Sequence, residues 1–130
     1  MLDVLNFLRK PGVFYLATTE GDQPRVRPFG IVEIYKGKLY VLTGKKKNVS
    51  KQIQKNPKVE VCTSVGEEWI RICGELVRDD SVEAKKYVLD KNPQLRSMYD
   101  ENDDNTEVLY FKDAVATISS FTKGEKIIKL

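Results

Sequence analysis

The chain contains no histidine. That absence removes the commonest general base, the Ser-His and Cys-His nucleophile pairs, and most zinc sites. Only two cysteines are present, Cys62 and Cys73, in apolar strand-like stretches without metal-ligand spacing. Buried free thiols in a reducing compartment are therefore expected. No apolar run approaches the roughly 20 residues that a membrane helix needs. Met1-Leu2-Asp3-Val4 offers no basic leader ahead of an apolar stretch. The expectation is a cytoplasmic chain with no membrane partner. The net charge of +3 is too small to indicate nucleic acid, although it suits a small anionic ligand.

What remains is an ordinary globular composition: 130 residues, 41% hydrophobic and 32% charged. A chain of this size buries about two-thirds of its unfolded surface, enough for one core, so a single domain over 1–130 is expected. Leu2, Leu5 and Leu8, with Val4 and Phe7, repeat at helical spacing up to Lys10, where Pro11-Gly12 stops the helix. Val13 to Thr18 is rich in β-formers and ends at the turn signal Glu20-Gly21-Asp22. A second strand is read from Arg25 to Tyr35, with Lys36-Gly37 as the hairpin into Lys38–Leu42. Lys58–Ser64 and Trp69–Arg78 form the next pair, around Val65-Gly66-Glu67-Glu68.

A helix capped by Asp80 or Ser81 runs through Val82, Ala84, Val88 and Leu89 to Asn92-Pro93, and a short turn carries Leu95, Met98 and Tyr99. The acidic run from Asp100 to Asn105 lacks the Gly and closing Glu of an EF-hand and reads as solvated loop. Glu107 to Phe121 is a long strand, with Ile127-Ile128 as a short terminal addition. About six strands arriving as hairpins, with helices on the periphery, make an α+β fold. The expected architecture is a six-stranded antiparallel barrel.

Val41-Leu42-Thr43-Gly44-Lys45-Lys46-Lys47-Asn48-Val49-Ser50-Lys51 runs from a strand through a Gly into a helix. Lysines at a helix N-terminus oppose its partial positive charge, at a cost of roughly 0.3–1 kcal/mol each unless an anion offsets them. The run is either a phosphate site or a solvated loop. Val49 and Ile53 point inward, and Lys47, Lys51 and Lys55 form a stripe on the far side. Only the entry loop and first turn reach a ligand at the N-terminus. Lys47 is therefore the first candidate, Lys45 or Lys51 the next, and Lys55 belongs to solvent. Thr43 supplies a hydroxyl at the strand end.

In Pro24-Arg25-Val26-Arg27-Pro28-Phe29-Gly30-Ile31, Pro28 marks an edge or a bulge, and Gly30 leaves room for a backbone or a flat ligand. Arg25 and Arg27 share a face; either they clamp a phosphate or they are surface charges. In Trp69-Ile70-Arg71-Ile72-Cys73, Ile70 and Ile72 face the core and Trp69 lies with Arg71 on the other side. Trp69 marks an interface, a stacked ligand or a cover over the barrel end.

In order and spacing, these pieces resemble the pyridoxamine 5′-phosphate oxidase-like, FMN-binding split-barrel flavoproteins. The likeness is strongest to the short bacterial members described as general-stress or nitroimidazole-reductase-like. It rests on Phe14–Thr18, Pro24–Gly30, Gly37–Tyr40, Thr43–Lys47, Lys51-Gln52-Ile53 leading to Asn56-Pro57-Lys58-Val59, and Trp69–Gly74. The resemblance implies a six-stranded split barrel and a homodimer with FMN in a groove at the subunit interface. It places Arg27 and Thr43 to Lys47 on the FMN phosphate, the backbone of Pro28, Phe29 and Gly30 along the isoalloxazine ring, and Trp69 near it.

Three departures limit what carries over. Lys47-Asn48-Val49 stands where the oxidase has Ser-Arg-Lys, so the phosphate ligands differ in part. No counterpart exists of the oxidase's C-terminal Arg and His, which argues against vitamin B6 oxidation. The absent histidine also counts against nitro reduction or haem handling through a His. The leading expectation is an FMN-dependent oxidoreductase acting on a small molecule, with nicotinamide or deazaflavin as donor left open. The alternatives are a non-catalytic flavin or phosphorylated-ligand binder or sensor, and a nucleic-acid-binding barrel using Trp69 and the lysines.

Overall fold

The computed structural model describes residues 1–130. Its elements are α1 (Leu2–Arg9), β1 (Phe14–Glu20), β2 (Gln23–Phe29), β3 (Val32–Tyr35), β4 (Lys38–Gly44), α2 (Asn48–Lys55), β5 (Lys58–Val65), β6 (Glu68–Asp79), α3 (Val82–Lys91), a 3₁₀ turn (Pro93–Ser97), β7 (Thr106–Ser120) and β8 (Lys126–Lys129). All strands belong to one antiparallel sheet in the order β2-β1-β5-β6-β7-β4-β3, with β8 added to β7. The α+β class is as expected, with eight strands in place of six. The added β8 accounts for one. The other arises because the expected Arg25–Tyr35 strand is two.

Pro28 and Gly30 explain that division. β2 pairs only with β1 and β3 only with β4, so the chain crosses from one edge of the sheet to the other at Gly30-Ile31. Pro28 lacks an amide hydrogen for a further ladder bond, which suits an edge. The sheet is thus split at this crossing. Helix α1 packs its apolar face on the core beside β3: Val4, Leu5, Phe7 and Leu8 are buried there, and Arg9 donates to Val32 O and pairs with Glu33.

Period-two alternation builds the core. Leu16, Val61, Ile70 and Ile72 point inward and are fully buried. Truncating one of them to Ala would cost about 2–5 kcal/mol. Tyr15, Cys62, Arg71, Thr117 and Ile127 are register partners across five strands and form the matching outward row. Cys62 and Cys73 fall on this outward face, so both are free and exposed, not buried as the apolar context suggested. Their inward-pointing neighbours supplied that context.

The Lys36-Gly37 hairpin takes positive φ at both residues, 49° and 74°, as a tight two-residue turn requires. A second apolar cluster joins Ala84, Val88 and Leu89 of α3 to Tyr40, Leu42, Tyr99 and Val108. No helix is long and apolar enough to cross a membrane.

Candidate functional site

A cleft opens where β2 crosses to β3, between that crossing, the end of β4 and the start of α2. Its volume is about 220 Å³, and Arg27, Pro28, Phe29, Gly30, Thr43 and Lys47 all line it. Ile31, Leu42, Val49, Leu95, Met98 and Tyr99 complete an apolar wall. A shallower basin of about 470 Å³ adjoins it through the shared residues Arg27, Lys47 and Val49, and adds Glu20, Arg25, Val26, Asn48 and Gln52.

Six of the nine residues expected from the sequence meet here, and three do not. Lys45 turns away and pairs with Asp80 at 3.2 Å. Lys51 lies one turn along α2, in a polar depression with Glu20, Lys55 and Asn56. Trp69 stands outside the cleft of its own chain, its ring centroid 5.0 Å from that of Phe121.

Arg27 dominates the electrostatics. Opposite Leu16 in the register, it sits on the inner side of β2, half-buried beneath α2. Its Nη1 donates to Leu16 O at 3.2 Å and to Thr18 Oγ1 at 2.7 Å, and its Nη2 donates to Gln52 Oε1 at 2.6 Å. All three acceptors are neutral, and Arg27 forms no ion pair within the chain. Burial, and then the nearby charge of Arg25, lowers its pKa from the ordinary arginine value. Arg25 itself is neutralised by Glu20 at 2.8 Å. The two arginines of the motif therefore separate into one compensated surface charge and one half-buried charge without a partner.

The start of α2 adds to this field. Lys47 is its N-cap residue in extended conformation, without a side-chain cap, and the first turn holds no acidic residue. The first helical bond runs from Lys51 N to Lys47 O, so the amides of Asn48, Val49 and Ser50 have no acceptor in the chain. Free amides, Lys47 and Arg27 converge on one region.

A Cβ built on Gly30 would meet only Gly12 O, at an ordinary 3.6 Å. The surrounding protein leaves that side of Gly30 open.

Sequence reasoning missed the support under the lysine run. Lys45 N donates to Asn105 O at 2.7 Å, and Lys46 N donates to Asn105 Oδ1 at 3.1 Å. The acidic loop thus fixes the lysine loop, and its Asp103 carboxylate is spent on the amides of Asp100, Asn105 and Thr106. Gly44 permits the approach, since a Cβ there would lie 3.0 Å from the Asn105 side chain. Behind it, fully buried Glu107 pairs with Arg78, which also reaches Ser50 of α2. Nothing in the spacing of these residues signals their association.

A family model described as pyridoxamine 5′-phosphate oxidase matches residues 3–119. The chain belongs to the pyridoxamine 5′-phosphate oxidase family. It is 46% identical to a NimC/NimA family protein from Clostridium acetobutylicum, covering 100% of this chain and 92% of that one, with a TM-score of 0.96. General Stress Protein 26 from Bacillus anthracis shares the fold at 19% identity and a TM-score of 0.75, covering 99% of this chain and 97% of that one. A pyridoxamine 5′-phosphate oxidase-related, FMN-binding protein from Nostoc punctiforme does so at 14% identity and a TM-score of 0.63, covering 95% and 88%. No curated protein sequence matches the chain. The family resemblance read from the sequence is thereby established.

Proposed function

We propose that the cleft binds FMN and that the protein is an FMN-dependent oxidoreductase acting on a small molecule. The observation that carries this reading is Arg27: a half-buried guanidinium with three neutral acceptors and no carboxylate calls for an anion from outside the chain. Lys47 and the free amides of α2 bring further positive potential to the same region, the setting in which phosphate binds helix N-termini. The residues present therefore fit a flavin phosphate, although Lys47-Asn48-Val49 replaces the Ser-Arg-Lys of the oxidase. The ring would lie along Pro28-Phe29-Gly30, whose open glycine accepts a flat group, against Ile31 and Leu42.

Bound FMN would supply the hydride or electron transfer. The chain would bind it, orient it and exclude water from its apolar side. Arg27 or Lys47 would also place positive charge where a reduced, anionic flavin needs it. The cleft lining contains no carboxylate. That same observation favours, as a second reading, a non-catalytic flavin binder or sensor.

The family relationship also supports a homodimer with FMN at its interface. Tyr15, Val26, Cys62, Val115 and Ile127 expose apolar surface on the outward face, with Val26 67% and Ile127 65% accessible. In such a dimer, Trp69 would reach the cofactor of the second subunit and not that of its own. The domain over 1–130 would then be one half of each site.

The test is the visible spectrum of the purified protein followed by a reductant screen. Flavin absorption in the visible, together with turnover of a nicotinamide or deazaflavin donor, is the expected result. A colourless protein that added FMN does not stabilise against heat overturns the proposal. Tight FMN binding without turnover favours the second reading.

A further inference from the structure

We infer that Gln52, together with Thr18, is a positioning residue that aims Arg27 at the ligand's phosphate. This deepens the proposed FMN site and rests on that reading. Gln52 lies on the buried side of α2, away from the exposed lysine stripe, and Thr18 lies on the inner side of β1. Thr18 Oγ1 donates to Gln52 Oε1 at 2.6 Å while accepting from Arg27 Nη1 at 2.7 Å. Arg27 Nη2 reaches the same Gln52 oxygen at 2.6 Å. The three side chains form a closed ring that joins β1, β2 and α2.

The ring assigns each Gln52 atom a role. Oε1 accepts from both Thr18 and Arg27, and Nε2 faces Glu20 Oε2 at 3.5 Å. The carboxylate of Glu20 thus holds the amide with its oxygen toward Arg27, while Glu20 itself pairs with Arg25.

The ring also determines which guanidinium atoms remain. A guanidinium has five N–H donors. Leu16 O and Thr18 Oγ1 engage Nη1, and Gln52 Oε1 engages one hydrogen of Nη2. The Nε hydrogen and the second Nη2 hydrogen have no acceptor in the chain. Those two lie along one edge of the planar group and form the fork that binds a phosphate through two oxygens. A neutral acceptor suits this purpose. A carboxylate in place of Gln52 would fix Arg27 equally well but would cancel the charge that the phosphate needs.

A double-mutant cycle between Gln52→Ala and Arg27→Ala tests this, with FMN and riboflavin affinities read by flavin fluorescence and folding checked by thermal melting of the flavin-free proteins. Gln52→Ala is expected to weaken FMN binding about ten-fold, to leave riboflavin binding unchanged, and to add nothing in the Arg27→Ala background. Thr18→Val, nearly isosteric and on a different element, is expected to reproduce this pattern if Gln52→Ala fails to fold. Equal losses for FMN and riboflavin, or a loss that persists in the Arg27→Ala background, would show a general packing role and overturn the inference. If the unmutated chain already fails to prefer FMN over riboflavin, the phosphate reading beneath it falls, and the inference with it.

Discussion

Arg27 and Gln52 are joined by a 2.6 Å hydrogen bond between an edge strand and the helix that follows the lysine run. The bond fixes a cation to a neutral partner and leaves its charge without a counter-ion in the chain. Arg27→Ala is therefore expected to weaken FMN binding by about 1.5–3 kcal/mol, ten-fold to a hundred-fold. Arg27→Lys should not restore it, because an ammonium lacks the planar group that holds Thr18 and Gln52 on one edge and offers a phosphate two parallel N–H groups on another. Titration of flavin fluorescence checks both.

The lysines should divide in the same assay. Lys47→Ala removes a cation that lines the cleft and is expected to weaken FMN binding about ten-fold. Lys55→Ala, on the solvated side of α2, should change nothing measurable. Lys45→Ala breaks the exposed pair with Asp80 and should lower stability by less than about 1 kcal/mol.

The sequence made this division partly legible. Distance from the helix N-terminus separated Lys55 from Lys47 on their shared stripe, and period two put Arg25 and Arg27 on one face of a strand that runs into the special backbone of Pro28 and Gly30. Two contributions depend on residues far apart in the chain and were not legible. The Thr18–Arg27–Gln52 ring spans three elements, and Asn105 locks a loop 59 positions away. The division of Arg25–Tyr35 into two strands was signalled by Pro28 and Gly30, but its consequence, a crossing between sheet edges, required knowing where β1 and β4 lie. The thiols were misjudged from the apolar composition around them; the alternation that turns Ile70 and Ile72 inward already sets Cys73 with Trp69 and Arg71 on the other face.

Outside the cleft, Tyr40 and Asp79 should give the fold a recognisable pH dependence. The Tyr40 hydroxyl donates to Asp79 Oδ2 at 2.6 Å. Burial opposes ionisation of Asp79, but hydrogen bonds from Tyr40 and from the Ser81 amide outweigh it and leave its pKa below the ordinary 3.8. Its stabilising contribution is therefore complete above that value and lost as pH falls through the depressed one. Burial first, and then Asp79, raises the Tyr40 pKa above the ordinary 10.0, so stability is retained below pH 10 and declines above it. Tyr40→Phe should cost about 1 kcal/mol at neutral pH and flatten both limbs of a melting-temperature profile.

Gly74 sits at the register shift between β6 and β7. A Cβ there would lie 2.6 Å from Ala114 Cβ and 2.7 Å from its Cα. Gly74→Ala is expected to destabilise the fold by about 1–3 kcal/mol through overpacking. Adding Ala114→Gly should recover part of that loss in chemical denaturation, whereas two independent sites would simply add.

The outward thiols report on assembly. Cys62 and Cys73 are accessible in the single chain. If this face joins two subunits, a thiol reagent should label them slowly at high protein concentration and faster on dilution. Concentration-independent labelling would place the interface elsewhere.

In the proposed site, Arg27 and Lys47 hold a flavin phosphate. Side-by-side titration of the unmutated protein with FMN and riboflavin tests it most directly, because the two ligands differ only in that group. FMN should bind at least about ten-fold more tightly than riboflavin, one charged hydrogen-bonded contact's worth, and inorganic phosphate should compete with it. Equal affinities, or binding of neither, would contradict the account.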